Sequence, residues 1–248
     1  MLPHSSTLME VIQASAKLEE IRRTTPSFST GLGLNLPLDA SRLSKFIGSI
    51  AVETDPNGTG HHLLRTSRHL GRLCRTMKAS GEYDLSEKDI DAASTWSILH
   101  DVGMMNISGD ILHKLKGLTE SEWGAIKSHV VAGLTLAETL KLPRMATDII
   151  SCHHCRWDGV QDRWDNTRQM RDPERGGYPF CTKGPDIPIW ARAFAYVDIF
   201  DALITPRNYR PAWSVWEAAG YIRDNLVGTQ LDPEIYPSFI QSLEWVVC

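Results

Sequence analysis

From Asp39 onward, apolar residues recur at helical spacing through most of the chain, and long stretches alternating apolar with polar are absent. Between Gly60 and Met77, the residues Leu63, Leu64, Leu70, Leu73 and Cys74 fall close to the helical period, which predicts a first core helix. Ser86 with Asp89 reads as an N-cap opening a second helix through Leu99. Thr119 and Glu122 form a Thr-x-x-Glu capping box, and the helix it opens should reach about Leu140. Pro143 sits near the first turn of the next helix. Ile187–Leu203 carries apolar residues on most faces, as a buried helix does, and Ser214–Leu226 and Pro233–Val246 predict two more. The fold class that follows is all-α.

Two segments break this rhythm. Residues 1–50 hold a short amphipathic stretch, Leu8–Arg23, and then turn rich in Ser, Thr, Gly and Pro, so a helical arm or cap is expected ahead of a domain over 51–248. Trp157–Pro188 is rich in Arg, Asp, Gly and Pro and reads as a long loop beside a pocket. Structureless loops of this length inside a compact domain are uncommon and usually functional.

Composition narrows the class. At 248 residues, 42% hydrophobic and 23% charged, the chain can bury one substantial core. A net charge of −4 lacks the positive excess that general nucleic-acid binding needs. Five cysteines are an odd number and too few for a disulfide scaffold, which suggests free thiols in a reducing cytoplasm. Met1–Leu8 lacks a basic stretch leading into an apolar one, and no apolar run approaches about 18 residues, so neither a secretory signal nor a membrane span is expected.

The chemistry lies in the histidines. Five of the nine, His62, His100, His129, His153 and His154, form a spaced series with Asp101 and Asp198, and two of the stations are doublets. Imidazole and carboxylate suit Fe, Mn and Zn. The spacing places His62 on the first core helix, His100-Asp101 at the end of the helix from Ser86, His129 mid-helix, and His153-His154 and Asp198 on two further helices. Adjacent residues on a helix point about 100° apart, so a doublet can serve two neighbouring ions. Asp101, a carboxylate, can bridge them. Two ions about 3.5–4 Å apart would share a water or hydroxide and supply a nucleophile near neutral pH. Other assignments stand beside these. Asp201 competes with Asp198, and His61 with His62; His4, His69 and His113 read as surface residues. Cys152 and Cys155 flank the His pair in the manner of a zinc ribbon, but only Cys181 is available to complete one.

Taken in order, the motifs resemble the HD-GYP family, a branch of the HD superfamily of metal-dependent phosphohydrolases. Thr59-Gly60-His61-His62 is similar to TGxH, and His100-Asp101-Val102-Gly103 to the HD motif. His153-His154-Cys155-Arg156-Trp157-Asp158-Gly159 is similar to HHExxDG, and Gly177-Tyr178-Pro179 is the GYP tripeptide. The resemblance covers about residues 55–225 and implies a helical bundle that hydrolyses cyclic di-GMP, a bacterial second messenger, to the linear dinucleotide or GMP. It implies two divalent ions, iron, manganese or another transition metal, on His62, His100, Asp101, His129, His153, His154 and Asp198, with Asp101 catalytic as the bridge. It places Tyr178 in a loop beside the pocket, where a protein partner is also admitted. Arg207 and Arg210 fall where the substrate phosphate is met, a role suited to the bidentate guanidinium. Read without the resemblance, both arginines equally cap the preceding helix or pair with surface acids.

Three departures qualify this. Met104 stands where the family places lysine, leaving Lys114 or Lys116 as spatial substitutes. Gly58 replaces a glutamate that helps hold a third metal in some members, which favours two. Cys155 replaces the Glu of HHExxDG, and Val160–Gly176 intervenes before GYP, either covering the pocket, changing the substrate or forming a solvated loop. Phosphodiester hydrolysis leads. The alternatives are a mixed-valent di-iron oxygenase of the same superfamily, marked by oxygen uptake, and a degenerate non-catalytic nucleotide-binding or interaction protein, which would have no physical need for seven ligands.

Overall fold

A computed structural model of the chain describes residues 59–112, 114, 117–139, 142–160, 178–206 and 211–244. Ahead of these it pairs two short antiparallel strands, β1 (Phe28–Ser29) and β2 (Asn35–Leu36). The amphipathic stretch Leu8–Arg23, the rest of the expected arm, and residues 161–177 of the long loop lie outside the described residues. Among the described residues, no helix is long and apolar enough to cross a membrane.

Helix α1 (Thr59–Ala79) turns Leu63, Leu70, Leu73, Cys74 and Met77 inward, all buried. It packs on α2 (Glu87–Ser97), whose first turn is closed by Ser86 accepting from the Asp89 N–H at 3.1 Å. Between the two helices, the Ser67 hydroxyl donates to the Ser94 carbonyl at 2.7 Å. The centre of the core is α7 (Ile189–Ile204), with Ala193, Phe194, Tyr196, Val197 and Phe200 buried. Over it close α8 (Val215–Asn225), opened by a Ser214/Glu217 capping box, and α9 (Tyr236–Ser242). Phe239 of α9 packs against both Tyr196 and Phe200, with ring centroids 5.1 and 5.5 Å away. Buried Asp232 is held by Arg192 at 2.7 Å, and the Tyr196 hydroxyl donates to its carbonyl at 2.6 Å.

The helix expected from Thr119 to about Leu140 is two helices, α4 (Glu120–Lys127) and α5 (His129–Thr139), preceded by the single turn α3 (Gly109–Leu112). The predicted capping box is present and fixes the start of α4. At Ser128 the chain departs from α geometry: its hydroxyl donates to the Ala125 carbonyl at 2.6 Å, and its N–H is shared between the Gly124 and Ala125 carbonyls. His129 therefore begins a helix and is not mid-helix. The break also lets the His129 carbonyl press against Gly103, where an added Cβ would stand 1.9 Å from that oxygen.

Helix α2 likewise ends at Ser97, so His100 lies in the turn beyond it and Asp101 opens a 3₁₀ helix, Val102–Asn106. Helix α6 (Arg144–Cys152) starts after Pro143, and His153 is its C-cap, so the His pair sits on a helix end. Most of the histidine stations occupy helix termini, where the backbone changes direction and side chains from different elements can converge.

Gly103→Ala is expected to cost about 1–3 kcal/mol or more, because the obstruction is backbone and cannot rotate away. Gly71→Ala, whose added Cβ meets side-chain atoms, the Ser94 hydroxyl at 2.6 Å and Arg75 Nη1 at 3.2 Å, should cost less, and thermal melts of both variants check the ranking. His69 stands edge-on to Phe200, with ring centroids 5.8 Å apart. Burial holds its pKa down to about 4, opposed by Asp201 and reinforced by Arg72, Arg65 and Arg68. The unfolded chain therefore takes up that proton first on acidification, so the contribution is whole above pH 6.5 and is lost as pH falls toward 4. His69→Leu should flatten the fall in melting temperature across that window.

Candidate metal centre

Seven side chains from five segments meet at one place. His62 comes from α1, His100 and Asp101 from the turn after α2, His129 from the start of α5, His153 and His154 from the end of α6, and Asp198 from α7. Their ligand atoms fall into two groups, Asp101 with His129, His153 and His154, and His62 with His100 and Asp198, each within 4.8 Å of one another.

The rings are aimed by the backbone. His100 Nδ1 donates to the Ser97 carbonyl at 3.0 Å, His129 Nδ1 to Ile126 at 2.7 Å, and His153 Nδ1 to Ile149 and Ile150 at 3.0 and 3.1 Å. Each bond to a carbonyl fixes the proton on Nδ1 and leaves Nε2 with a free lone pair. Those Nε2 atoms, together with His154 Nε2 and Asp101 Oδ1, are buried and have no hydrogen-bond partner. Buried polar atoms without a partner are costly and rare, and five at one spot fit a site built for a cation.

The spacing agrees. Asp101 Oδ1 lies 3.3 Å from His129 Nε2 and 3.6 Å from His153 Nε2, while its Oδ2 lies 3.4 Å from His100 Nε2. Two ligands bonded to one ion at about 2.1 Å stand about 3.0–3.4 Å apart, close to these separations. The two oxygens of one carboxylate thus face different groups, the arrangement a bridge requires.

Electrostatics reinforce the preference for positive charge. Burial alone would raise the Asp101 carboxyl, but His100, His153 and His129 hold it well below the ordinary range. Burial, then His153 and His129, drives His154 far below the usual imidazole range, so it stays neutral and able to ligate. His62 differs: burial would lower it, but hydrogen bonds and charges from Asp198 and Asp201 push it up to about 10. Without a cation, the proton on His62 balances the carboxylates.

Asp201, the competitor to Asp198, is placed on the other side of His62. It accepts from His62 Nδ1 at 2.8 Å, whereas Asp198 approaches Nε2 at 3.3 Å. Asp201 also accepts from Arg65 Nε at 2.6 Å and Nη2 at 3.0 Å, and Arg65 continues to the Thr205 hydroxyl at 3.0 Å. Asp201 thus orients the ring through a fork-like ion pair, and Asp198 faces the centre. Arg65 was not singled out from sequence, although it lies one turn after His62, as Asp201 lies one turn after Asp198.

Tyr178 stacks on His154, with centroids 4.1 Å apart and planes 21° from parallel, and Lys127 lies 5.9 Å from the centroid of the tyrosine ring. Phe180, two residues on, is 47% exposed and held at a φ of 66°, a left-handed conformation that few bulky residues adopt. Lys114 does not stand in for the lysine lost at Met104; its ammonium is engaged by Glu122 at 2.8 and 3.0 Å. Arg207, Arg210, Lys116, Gly58 and the His61 side chain lie outside the described residues.

The HD domain family model matches residues 59–203, the segment that supplies all seven side chains. A 3'3'-cGAMP-specific phosphodiesterase from Vibrio cholerae serotype O1 is 33% identical over 186 residues, which cover 73% of this chain and 31% of the relative. A cyclic di-GMP phosphodiesterase from the same organism is 31% identical over 201 residues, covering 77% of this chain and 37% of the relative. The chain thus spans about a third of the length of these relatives. Among solved structures, an HDG"Y"P protein from Bdellovibrio bacteriovorus superposes with a TM-score of 0.55 at 16% identity, covering 96% of this chain and 64% of that one, a likeness of fold.

Loss of the Asp201 carboxylate should weaken metal binding without abolishing it. Asp201→Asn is expected to reduce affinity about 10–100-fold, the usual effect of removing a group that orients a ligand. Titration of the metal-free protein with Mn²⁺, followed by calorimetry, checks this against unchanged binding.

Proposed function

Because the chain belongs to the HD domain family, we propose that it is a phosphodiesterase opening a cyclic dinucleotide of the cyclic di-GMP class. In this reading His62, His100, Asp101, His129, His153, His154 and Asp198 hold two divalent ions, of iron, manganese or a similar metal. The supporting observation is the set of buried, unpartnered Nε2 atoms gathered about the two oxygens of Asp101. The relatives that act on 3'3'-cGAMP and cyclic di-GMP support the substrate class. Divalent ions in such a pair acidify water toward a pKa of about 7 and stabilise charge on phosphoryl oxygens.

The chain's own residues supply position and charge. Asp101 faces both groups and fixes their separation. The carbonyl-anchored imidazoles keep their free nitrogens aimed with little reorganisation, which is the condition for electrostatic stabilisation of a developing charge. Tyr178 walls the His154 side. Arg207 and Arg210 are assigned to the non-bridging phosphate oxygens, where a guanidinium binds in fork geometry. Lys127 brings a cation beside Tyr178, while Met104 brings none to the turn after Asp101. The exposed Phe180 makes the same loop the surface for a protein partner.

Anaerobically prepared protein loaded with Fe²⁺ or Mn²⁺ should convert cyclic di-GMP or 3'3'-cGAMP to a linear product, resolved by chromatography. His100→Ala should lower turnover by more than about 100-fold and reduce the metal content. Fully loaded wild-type protein that leaves both cyclic dinucleotides intact would overturn the reading.

A further inference from the structure

Beside the metal centre, and outside its ligand set, three free thiols meet. Cys152 ends α6, Cys155 follows the His153-His154 pair, and Cys181 lies three residues after Tyr178. Cys152 and Cys155 are 7% and 4% exposed and pack with Ile187 and Ala191, and the more accessible Cys181 packs against them. Cys155 is the middle member, near enough to Cys152 on one side and Cys181 on the other for each neighbour to perturb its thiol. The two backbone segments are fastened nearby, since the Gly184 N–H donates to the Trp157 carbonyl at 2.9 Å. Gly159 lies against Lys183, where an added Cβ would stand 2.8 Å from the lysine Cβ. These thiols do not make a third metal seat. Among the described residues, three ligand atoms within 4.8 Å of one another occur only in the two His/Asp groups.

We infer that Cys155 and Cys181 are an oxidation site, a thiol pair that hydrogen peroxide closes to a disulfide joining the loop after Tyr178 to the end of α6. Cys181 is the sulfur an oxidant reaches first. Its thiolate attacks peroxide, the O–O bond breaks, and a sulfenic acid and hydroxide form, the hydroxide leaving as water once protonated. The Cys155 sulfur then attacks the Cys181 sulfur; the S–O bond breaks, and the departing hydroxide takes the Cys155 proton as a second water. Two thiols lose two hydrogens, and one peroxide becomes two waters. Packing of Cys181 against the cluster that holds Cys155 brings separate backbone segments into the approach a disulfide needs, whereas Cys152 meets Cys155 only within a single turn. The bond would sit one residue from His154 and fix the segment whose Tyr178 stacks on that ring. This inference does not rest on the proposed hydrolysis.

The test is peptide mapping of the full chain after peroxide, with trypsin and no reductant. The expected product joins Met145–Arg156 to Gly176–Lys183 and disappears with dithiothreitol. It should persist in Cys152→Ser and be lost in Cys155→Ser and Cys181→Ser, while buried Cys74 stays reduced throughout. Recovery of Gly176–Lys183 unjoined, with a free thiol or only oxygen adducts, overturns the inference. So does a bond formed instead within Met145–Arg156. The wild-type map decides these outcomes even where a variant fails to fold.

Discussion

The centre depends on one repeated interaction, the hydrogen bond from histidine Nδ1 to a backbone carbonyl three or four residues earlier. His100, His129 and His153 all make it, and all three sit at or beyond the end of a helix or at a fresh helix start. The Ser97 and Ile149 carbonyls also accept the backbone N–H of His100 and His153, so there the imidazole takes the second lone pair of the oxygen while its own tautomer is fixed. The same bond that stabilises a chain reversal therefore aims a lone pair at the interior. His62 is held differently, by the Asp201 carboxylate braced on Arg65, which gives its ring a negative neighbour on each side.

This arrangement stores unfavourable energy in the protein without a cation. The unpartnered buried imidazole nitrogens and Asp101 Oδ1 cost free energy that the surrounding core, centred on Phe194, Tyr196 and Phe200, has to offset. A ligand that binds only the folded state shifts the folding equilibrium toward it in proportion to its affinity. Occupancy of this cluster by a cation would in this way be linked to fold stability through Asp101, whose position follows from the turn after α2 and its contact with α5.

Much of the fold was legible because the signals are local. The N-cap at Ser86, the capping box at Thr119, the apolar stripe of α1 and the apolar residues on most faces of α7 each require only neighbouring residues to be read. The helix break at Ser128 was not, since residues 119–140 carry an uninterrupted helical pattern and the contact accompanying the break comes from Gly103. The division of labour between Asp198 and Asp201 was likewise ambiguous, because both lie one turn apart on one helix and only the position of His62 separates them. Cys181 was grouped with Cys152 and Cys155 only as a possible zinc ligand; with 161–177 intervening in sequence, it is tertiary packing that brings it to Cys155.

The close seat of Gly103 against the His129 carbonyl has a consequence for sequence comparison. It couples the segment carrying Asp101 to the one carrying His129 through main-chain atoms, which no neighbouring side chain can replace. A descendant of this chain could retain all seven His and Asp side chains of the cluster and still lose their arrangement by acquiring a single methyl group at a position outside it. Counting the preserved His and Asp side chains is therefore an incomplete criterion for inheritance of the cluster, and the silent glycine belongs in the signature.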